Sequence, residues 1–540
     1  MTIPPNIGTI GFLIFILSLS YSLQLAAQQD EGQFNEILRR KVENICLLNN
    51  YIIDDEKITC SASLSEFYRA KKFTRAWTNE DAVKEFIDLI SQAHLEGLNA
   101  KDYHYGKILQ YQNDRFSMMD EVNLEILLSD AFLLYTSHML NGKVNPESIF
   151  PEWNVVRKEG NPLALLVQFL LNPDKKWLLN AITPQNRYYH ALKQALSDYR
   201  LIASRDGWQW VPDRKVLKKD SHGKTVMILK EKLRMMGDYD TQLTLDTLFD
   251  ENLENAVKSF QKRHGLDVDG IVGKESFMEL NRSAEERIDM IRVNLERWRW
   301  IPVNLSPYYI LLNIANYEMD IIKNEKEVFT ARVIVGKPFR KTPVFSTNMT
   351  YIVINPTWTV PPTIFREDIL PELRKSTDYL SKKNLKIYDY QNNAIDPSSI
   401  DWSMVTPSTF PYFIRQDPGP NNALGDIKFM FPNPYHVYLH DTPNKELFNK
   451  SERTFSSGCI RVSKPIELAE LLLDDAEKWS SDKINSLIQT RKTTTVFLPE
   501  PVKIHLLYWT SWVGTNGKVN FRKDVYQRDK PLLDALNEFK

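Results

Sequence analysis

The chain has little cysteine and almost no net charge. Its 540 residues include three cysteines, and its 68 lysines and arginines nearly balance its 69 aspartates and glutamates, for a net charge of −1. There is also no block of like charge, no low-complexity tract and no heptad repeat. A chain this close to neutrality offers no electrostatic basis for binding nucleic acid or an anionic membrane surface. The length allows about three domains.

Long apolar runs are equally scarce, and only one is long enough to cross a bilayer. Residues 1–29 carry no charged side chain, and the stretch from Ile7 to Ala27 has no polar face of the kind a soluble helix needs. Residues 1–29 therefore predict either a cleaved export signal or a single membrane anchor. The expected location is the periplasm or cell envelope, with the inner membrane as a partner if the segment is retained.

Two of the three cysteines, Cys46 and Cys60, are close in the sequence, and Cys459 is far from both. Cys46 and Cys60 could form a disulfide in an oxidising compartment, or they could be ordinary buried thiols. Cys459 has no neighbouring partner, and an unpaired cysteine in an exported protein is a candidate reactive group.

Residues 31–217 have the apolar spacing of helices. Thr78 is the expected N-cap of a helix that ends before Gly97, because apolar residues recur between them at intervals of three and four. A second, more apolar helix is expected over 121–142. The histidines of this region are scattered and indicate no site.

Residues 221–282 predict a separate unit of three short helices, two of which end at Gly237 and Gly265. The unit resembles the peptidoglycan-binding domain of cell-wall enzymes, and this resemblance implies the sacculus as a partner. The alternative is a small helical linker domain. The residues that carry the resemblance are Ala256, Val257, Phe260, Gln261, Gly265, Leu266, Asp269, Gly270 and Gly273.

From Tyr308 onward the pattern changes to the alternation of β-strands. A polar segment, rich in proline and asparagine and spanning about 357–422, interrupts these strands and reads as an insertion. A hairpin is expected around Asn516 and Gly517.

The run His440 to Pro465 contains the candidate chemistry. In the expected strands, Tyr438 and His440 share one face, and Cys459 and Arg461 share one face. His440 is a candidate base for the Cys459 thiol. The N–H groups of Gly458 and Cys459 are candidate oxyanion donors, and Arg461 could pair with a substrate carboxylate.

Two other interpretations of Cys459 stay open on the residues alone. His436, His440 and Cys459 could make a three-ligand zinc site. Cys459 could also be an inert buried thiol, although its Ser-Ser-Gly context and the nearby Arg461 argue against an apolar environment.

The motifs "HDTP" and "SSGCIRV" resemble the active-site motif of the L,D-transpeptidase family. The segments 355–371, 400–403 and 417–433 extend the resemblance to its larger, murein-crosslinking members. One departure is Asp441, where smaller members have glycine; its role is left open. The resemblance implies an α+β multidomain protein. Its parts would be a helical scaffold (31–217), a peptidoglycan-binding domain (221–282) and a mostly-β catalytic domain (298–528) with a capping insertion (357–422).

The resemblance also implies an activity that needs no cofactor and no metal. Cys459 would attack stem tetrapeptides, release D-Ala and form 3–3 crosslinks, with sensitivity to carbapenems. An L,D-carboxypeptidase and a wall-binding structural protein are the alternatives. The implied site residues are the nucleophile Cys459 and the acid–base His440; Gly458, Ser456 and Ser457 as oxyanion or supporting groups; and Arg461, Tyr438 and Trp358 as substrate contacts, with Trp358 alternatively anchoring the insertion.

Overall fold

The computed structural model describes residues 28–48, 51–114, 117–155, 160–204, 208–212, 215–301 and 306–538. The predicted export segment therefore lies almost wholly outside the described residues. Within the described ranges, no helix has both the length and the apolar character needed to cross a membrane.

The N-terminal region is helical, and its core is built around the long helix Met118–Asn141. The expected helix before Gly97 is present as Glu80–Ser91, but its N-cap is Asn79 and not Thr78, because the Asn79 side chain accepts from the Asp81 N–H. The remaining helices span 28–47, Ser61–Ala70, Tyr105–Asn113, Pro146–Ile149, Pro162–Leu171, Lys175–Ile182 and Arg187–Ala203, with 3-10 turns Ala93–Glu96 and Ala100–Tyr103 and a small hairpin Ile52–Ile53 and Glu56–Lys57.

The next unit has the three expected helices, Lys224–Met235, Glu251–Arg263 and Lys274–Leu280. Its apolar core is separate from that of the N-terminal helices. The helix Ala284–Arg299 follows, and its start is fixed by a capping box between Ser283 and Glu286.

Eight strands of the C-terminal region form one sheet that closes on itself. They are β1 (Tyr308–Asn313), β2 (Glu318–Lys323), β3 (Lys326–Gly336), β4 (Val344–Ile354), β5 (Ile427–Met430), β6 (Leu439–His440), β7 (Ile460–Val462) and β8 (Thr494–Leu507). The order is β5-β6-β7-β3-β2-β1-β8-β4, and β4 pairs again with β5. The pairs β6–β7 and β1–β8 are parallel, and the other pairs in the ring are antiparallel. Closure leaves the sheet without free edges.

Several strands are buried on both faces, so their burial does not alternate as the sequence pattern predicted. In β1 the five residues from Tyr309 to Asn313 are all buried, because helices also pack onto the sheet. The helices Ala284–Arg299, Pro465–Leu473, Ser481–Gln489 and Asp529–Asn537 contribute to the same core. Pro465 is the first residue of its helix, and Lys464 is at the N-cap position.

Residues 358–416 form a subdomain with an apolar core of its own, inside the expected insertion. Its four strands are Trp358–Thr359, Lys386–Tyr388, Ala394–Ile395 and Phe413–Gln416. Its short helices are Pro362–Ile364, Phe365–Ile369, Leu370–Leu373 and Asp378–Lys382, with a 3-10 turn Pro397–Ser399.

Short elements complete the fold. The strand Trp153–Asn154 pairs with β4, and Thr454–Ser456 pairs with β3. The expected hairpin is formed by Ser511–Val513 and Val519–Phe521, with Gly517 at φ +74° in its turn. A 3-10 helix covers Lys445–Asn449, and a helical turn covers Ala476–Trp479. The predicted α+β multidomain fold class is confirmed.

Candidate active site

Three adjacent strands place a row of polar side chains on one face of the sheet. Lys428 of β5 pairs with His440 of β6, and His440 pairs with Arg461 of β7. Directly paired residues point to the same face of a sheet and neighbouring strands are about 4.8 Å apart. His440 is therefore flanked by two cationic side chains.

Cys459 lies at the bend that leads into β7. The Ile460 N–H donates to the Tyr438 carbonyl at 3.0 Å, so Cys459 is held beside Tyr438 and next to His440 along the strand. The Tyr438 hydroxyl hydrogen-bonds the thiol. The Sγ atom also lies 3.8 Å from the His436 carbonyl, which accepts from the thiol.

Ser456 shapes the turn that presents Cys459. Its Oγ donates to the Cys459 carbonyl at 2.5 Å and accepts from the Gly458 N–H at 3.1 Å. Gly458 has φ +116°, a conformation that strains residues with a side chain. Since its N–H is occupied by Ser456, Gly458 acts on the turn itself in this state and not as a free oxyanion donor.

Two residues distant in sequence support the same turn. The Thr342 hydroxyl donates to the Gly458 carbonyl at 2.9 Å and accepts from the Gly336 N–H at 2.9 Å. The Tyr526 hydroxyl accepts from the Thr342 N–H at 3.1 Å and donates to the Gly336 carbonyl at 2.7 Å. The turn is thereby tied to the end of β3.

The electrostatics of the site favour a neutral His440. Burial first, and then the charge of Arg461, lower the pKa of His440 to about 3. Its Nδ1–H donates to the Asp441 carbonyl at 2.5 Å. The neutral ring therefore carries its proton on Nδ1, and Nε2 is the nitrogen that can take a proton.

The thiol is also neutral at rest. Burial raises the pKa of Cys459, and the hydrogen bonds from Tyr438 and the charge of Lys428 only partly oppose this. Lys428 reaches the site with its Nζ 3.9 Å from the centre of the Tyr438 ring. The resting pair is consequently a thiol and an imidazole rather than a thiolate and an imidazolium.

Arg461 has unused hydrogen-bonding capacity. Burial lowers its pKa from the ordinary arginine value. Among the residues that the structure describes, its buried Nε has no hydrogen-bond partner. A buried unsatisfied donor is costly, so this guanidinium is prepared for an anionic ligand.

Asp441 organises the loop that follows β6. It is buried, accepts from Lys445 Nζ at 2.6 Å and accepts from the Asp426 N–H at 3.0 Å. Its side chain fills the space over Gly425, where a Cβ atom would collide with it. Asp441, whose role the sequence left open, therefore holds the loop segments of Gly425, Asp426 and Lys445 in place.

Of the remaining predicted residues, Trp358 lies in the insertion and Ser457 lies in the turn before Cys459. Trp358 belongs to a strand of the subdomain and packs, half-buried, against its core. Ser457 is exposed, and its Oγ accepts from Arg340 at 2.9 Å. The same guanidinium pairs with Glu367 at 2.7 Å and Asp368 at 2.6 Å, so Arg340 connects the subdomain to the turn of Cys459.

The described residues form neither the alternative zinc site nor a disulfide between Cys46 and Cys60. Within the described ranges, no three histidine, cysteine, aspartate or glutamate side chains are grouped to hold a metal ion, so His436, His440 and Cys459 do not form the alternative zinc site. Cys46 and Cys60 are both free thiols, one exposed and one half-buried.

The sequence interpretation missed Lys428, Thr342 and Arg340. Lys428 carried a signal, since it is a charged residue between Ile427 and Phe429 in an otherwise apolar strand. Thr342 and Arg340 lie in a loop far from the motif and have no local pattern that distinguishes them.

Three segments of the chain match models of known protein families. Residues 307–503 match "L,D-transpeptidase catalytic domain", residues 222–278 match "Putative peptidoglycan binding domain", and residues 62–196 match "Scaffold domain". A Haemophilus influenzae protein named "Putative L,D-transpeptidase" is 36% identical over 256 residues, which are 47% of this chain and 51% of that protein. The chain thus spans about half the length of this curated relative.

The solved L,D-transpeptidase structures that resemble the chain are more distant in sequence. An L,D-transpeptidase from Xylanimonas cellulosilytica is 13% identical, with 55% of this chain and 99% of that chain covered and a TM-score of 0.17. An L,D-transpeptidase from Stackebrandtia nassauensis is 14% identical, with 54% and 94% covered and a TM-score of 0.22. The similarity of this chain to L,D-transpeptidases is therefore carried by the sequence matches.

Proposed function

We propose that this chain is an L,D-transpeptidase that joins peptidoglycan stem peptides through a thioester on Cys459, and the match of residues 307–503 to the model of an L,D-transpeptidase catalytic domain supports this proposal. The observation that carries the proposal is the arrangement of Cys459 and His440 on adjacent strands, beside the buried and unsatisfied Arg461. The donor is a stem tetrapeptide that ends in a diamino acid and D-Ala.

The acylation step uses the neutral pair. Arg461 binds a carboxylate of the donor, while His440 Nε2 takes the proton of the Cys459 thiol as sulfur attacks the carbonyl before D-Ala. The carbon–nitrogen bond then breaks, the protonated imidazole returns its proton to the leaving amine, and the donor remains as a thioester.

Substrate binding itself helps His440 to act as a base. The charge of Arg461 lowers the pKa of His440, and a donor carboxylate paired with Arg461 offsets that charge. The imidazolium formed during attack is therefore less unfavourable in the complex than in the free enzyme. The Cys459 N–H is the backbone donor assigned to the developing oxyanion.

The thioester is resolved by the side-chain amine of a second stem. The amine loses a proton to His440 and attacks the thioester carbonyl, which restores the Cys459 thiol and gives a 3–3 crosslink. With water as the acceptor, the same intermediate gives a carboxypeptidase. No cofactor is required, because the thioester retains the energy of the broken peptide bond.

The peptidoglycan-binding match supports a cell-envelope location for the reaction. We assign residues 221–282 to binding the sacculus, which raises the local concentration of stem peptides. A wall-binding structural protein is the remaining alternative, and the intact set of Cys459, His440 and Arg461 argues against it.

The decisive test is Cys459→Ala. We expect it to abolish crosslinked dimers made from purified tetrapeptide muropeptides, as measured by mass spectrometry, while binding to sacculi persists. Wild-type protein should gain the mass of one carbapenem molecule and Cys459→Ala should not. Cys46→Ala is the matched control, since Cys46 is an exposed free thiol. Turnover by Cys459→Ala near the wild-type rate would refute the assignment.

We propose that the subdomain 358–416 excludes water from the site, and that Arg340 holds it in place over the turn of Cys459. Arg340→Gln removes both ion pairs to the subdomain, and because the two carboxylates are exposed to solvent, each pair should contribute only about 0–1 kcal/mol to folding. We expect normal stability but a larger share of hydrolysed tripeptide relative to dimer.

The control for this change is Arg366→Gln. Arg366 also pairs with Glu367, at 2.6 Å, but the hydrogen bond to Ser457 belongs to Arg340. An equal shift of products in both variants, or in neither, would show that the Arg340 contact does not control the acceptor.

A further inference from the structure

A groove follows the boundary between the three-helix unit and the closed sheet. Its main part is a cleft of about 750 Å³, within the range of roughly 300–1,000 Å³ that is usual for ligand sites. A second cavity of about 320 Å³ continues it, since Gly265, Leu266, Tyr317 and Ser451 line both. Cys459, His440 and Arg461 line neither cavity, so the groove is distinct from the candidate active site.

The two walls of the groove are fixed to each other. Arg263 of the three-helix unit donates to the Val519 carbonyl at 2.9 Å, and Arg522 donates to the Arg263 carbonyl at 2.8 Å. The ring of His264 stacks on Phe521 with 5.6 Å between the centroids. The groove is therefore preformed, which lowers the entropic cost of binding an extended ligand.

One wall presents carboxylates with spare accepting capacity. Among the described residues, Glu318, Asp320 and Glu327 form no salt bridge, and their hydrogen bonds come from Asn316 and Thr330. Burial, reinforced by the charge of Glu318, raises the pKa of Asp320 to about 7. These groups suit a ligand that brings many hydroxyl or amide donors.

Aromatic side chains from other elements also line the groove. Trp512 is half-buried at the groove, and Tyr188 extends a stack in which its ring lies 5.7 Å from that of Trp298, with 8° between the planes. Trp298 in turn lies 4.2 Å from Trp509. Flat aromatic surfaces pack against the C–H faces of sugar rings, whose hydroxyl edges then point to the polar wall.

We propose that this groove binds a glycan strand of peptidoglycan, with Trp512 as a stacking surface and Asp320 as a hydrogen-bond acceptor. The identity of the polymer rests on the proposed function, but the site itself does not use Cys459. The groove is also lined by Asn449, Ser451 and Arg453, which lie between His440 and Cys459 in the chain. A strand bound here thus passes beside the segment that connects the two reactive residues.

The test measures binding of soluble, peptide-free glycan strands to the full chain by titration calorimetry. Trp512→Ala removes the stacking surface, and Asp320→Asn replaces a carboxylate by a weaker, neutral acceptor, so each should weaken binding by about tenfold. Trp210→Ala and Asp401→Asn are the controls, because both residues are exposed and neither lines the groove. They should bind as wild type.

Carbapenem acylation of Cys459 separates this proposal from the proposed function. Acylation at the wild-type rate in both groove variants, together with weaker glycan binding, supports the groove. Unchanged glycan binding in a folded Asp320→Asn protein overturns it, even if Trp512→Ala fails to fold. Binding of free stem peptide but not of peptide-free glycan also overturns it. Failure of the wild type to be acylated would count against the proposed function alone.

Discussion

His104 in the N-terminal helices and His440 in the closed sheet are both almost fully buried, but their neighbours carry opposite charges. His104 lies between Glu56, at 2.8 Å from Nδ1, and Asp130, at 2.9 Å from Nε2. Burial alone would lower the pKa of His104, but these two hydrogen bonds outweigh it and raise the pKa to about 9.

Among the residues that the structure describes, no carboxylate is hydrogen-bonded to the His440 ring, whose Nδ1 bonds the Asp441 backbone carbonyl. Burial and Arg461 lower its pKa to about 3, so it stays neutral where His104 stays charged. The comparison shows that burial does not decide the role of a histidine. A buried imidazolium held by two acceptors stabilises a fold, whereas a buried neutral imidazole can accept a proton.

The largest expected effect is on reactivity at His440. His440→Gln keeps a polar side chain but removes the base, and general-base catalysis contributes about 10²–10⁴-fold. We expect a loss of that order in the rate of acylation by a carbapenem, followed by intact-protein mass spectrometry. His436→Gln is the control, because that side chain is exposed. A tenfold loss or less in His440→Gln would mean that another group takes the thiol proton.

The next effect is on stability at His104. His104→Gln leaves the buried Asp130 without its cationic partner, and breaking such a pair costs about 3–5 kcal/mol. We expect the unfolding transition of the N-terminal helices to shift accordingly at pH 7, with normal acylation of Cys459. His94→Gln, at an exposed position of the same region, should change little.

The pH dependence gives this second prediction a sign. The folded pKa of His104 is raised to about 9, so its stabilisation is complete below the unfolded pKa of about 6.5 and is lost as pH rises through 9. The stability difference between wild type and His104→Gln should therefore shrink between pH 7 and pH 10. His440 has a lowered folded pKa and acts in the opposite sense, costing stability as pH falls from about 6.5 toward 3. A difference that grows with rising pH would contradict the charged state of His104.

The smallest effect is expected at Lys428. Its charge lowers the pKa values of both the Cys459 thiol and His440, against the larger effect of burial on the thiol. Lys428→Met should move the pH profile of Cys459 alkylation upward by less than about one unit, since the charge is one of several influences. Lys428→Arg should restore the profile, and measurement in a background without Cys46 and Cys60 isolates the signal. An unchanged profile would show that Lys428 is too well solvated to act on the thiol.

Of the two histidines compared, the sequence predicted the surroundings of His440 but not those of His104. The alternation around His440 and Cys459 placed each residue on the polar face of its own expected strand, because a two-residue period is visible locally. His104 looked structural, but nothing near it in the sequence indicated Glu56 or Asp130 as partners.

The limits have a physical cause in both regions. The proximity of Lys428, Thr342 and Tyr526 to the Cys459 turn depends on the order of strands in a closed sheet, and a local pattern does not specify that order. The N-cap shift from Thr78 to Asn79 is a smaller case, since both residues can cap and only the geometry of the entering chain selects one.

The position of β8 in the sheet determines when the candidate active site can form during folding. It pairs in parallel with β1 and antiparallel with β4, so residues 309–313 meet residues 503–507 across most of the domain. Contacts so far apart in sequence are entropically expensive and form slowly. The ring that carries Lys428, His440 and Arg461 cannot close until that last strand is in place. Until then Cys459 is an ordinary exposed thiol, and completion of the fold is the step that buries it and makes its reactivity selective.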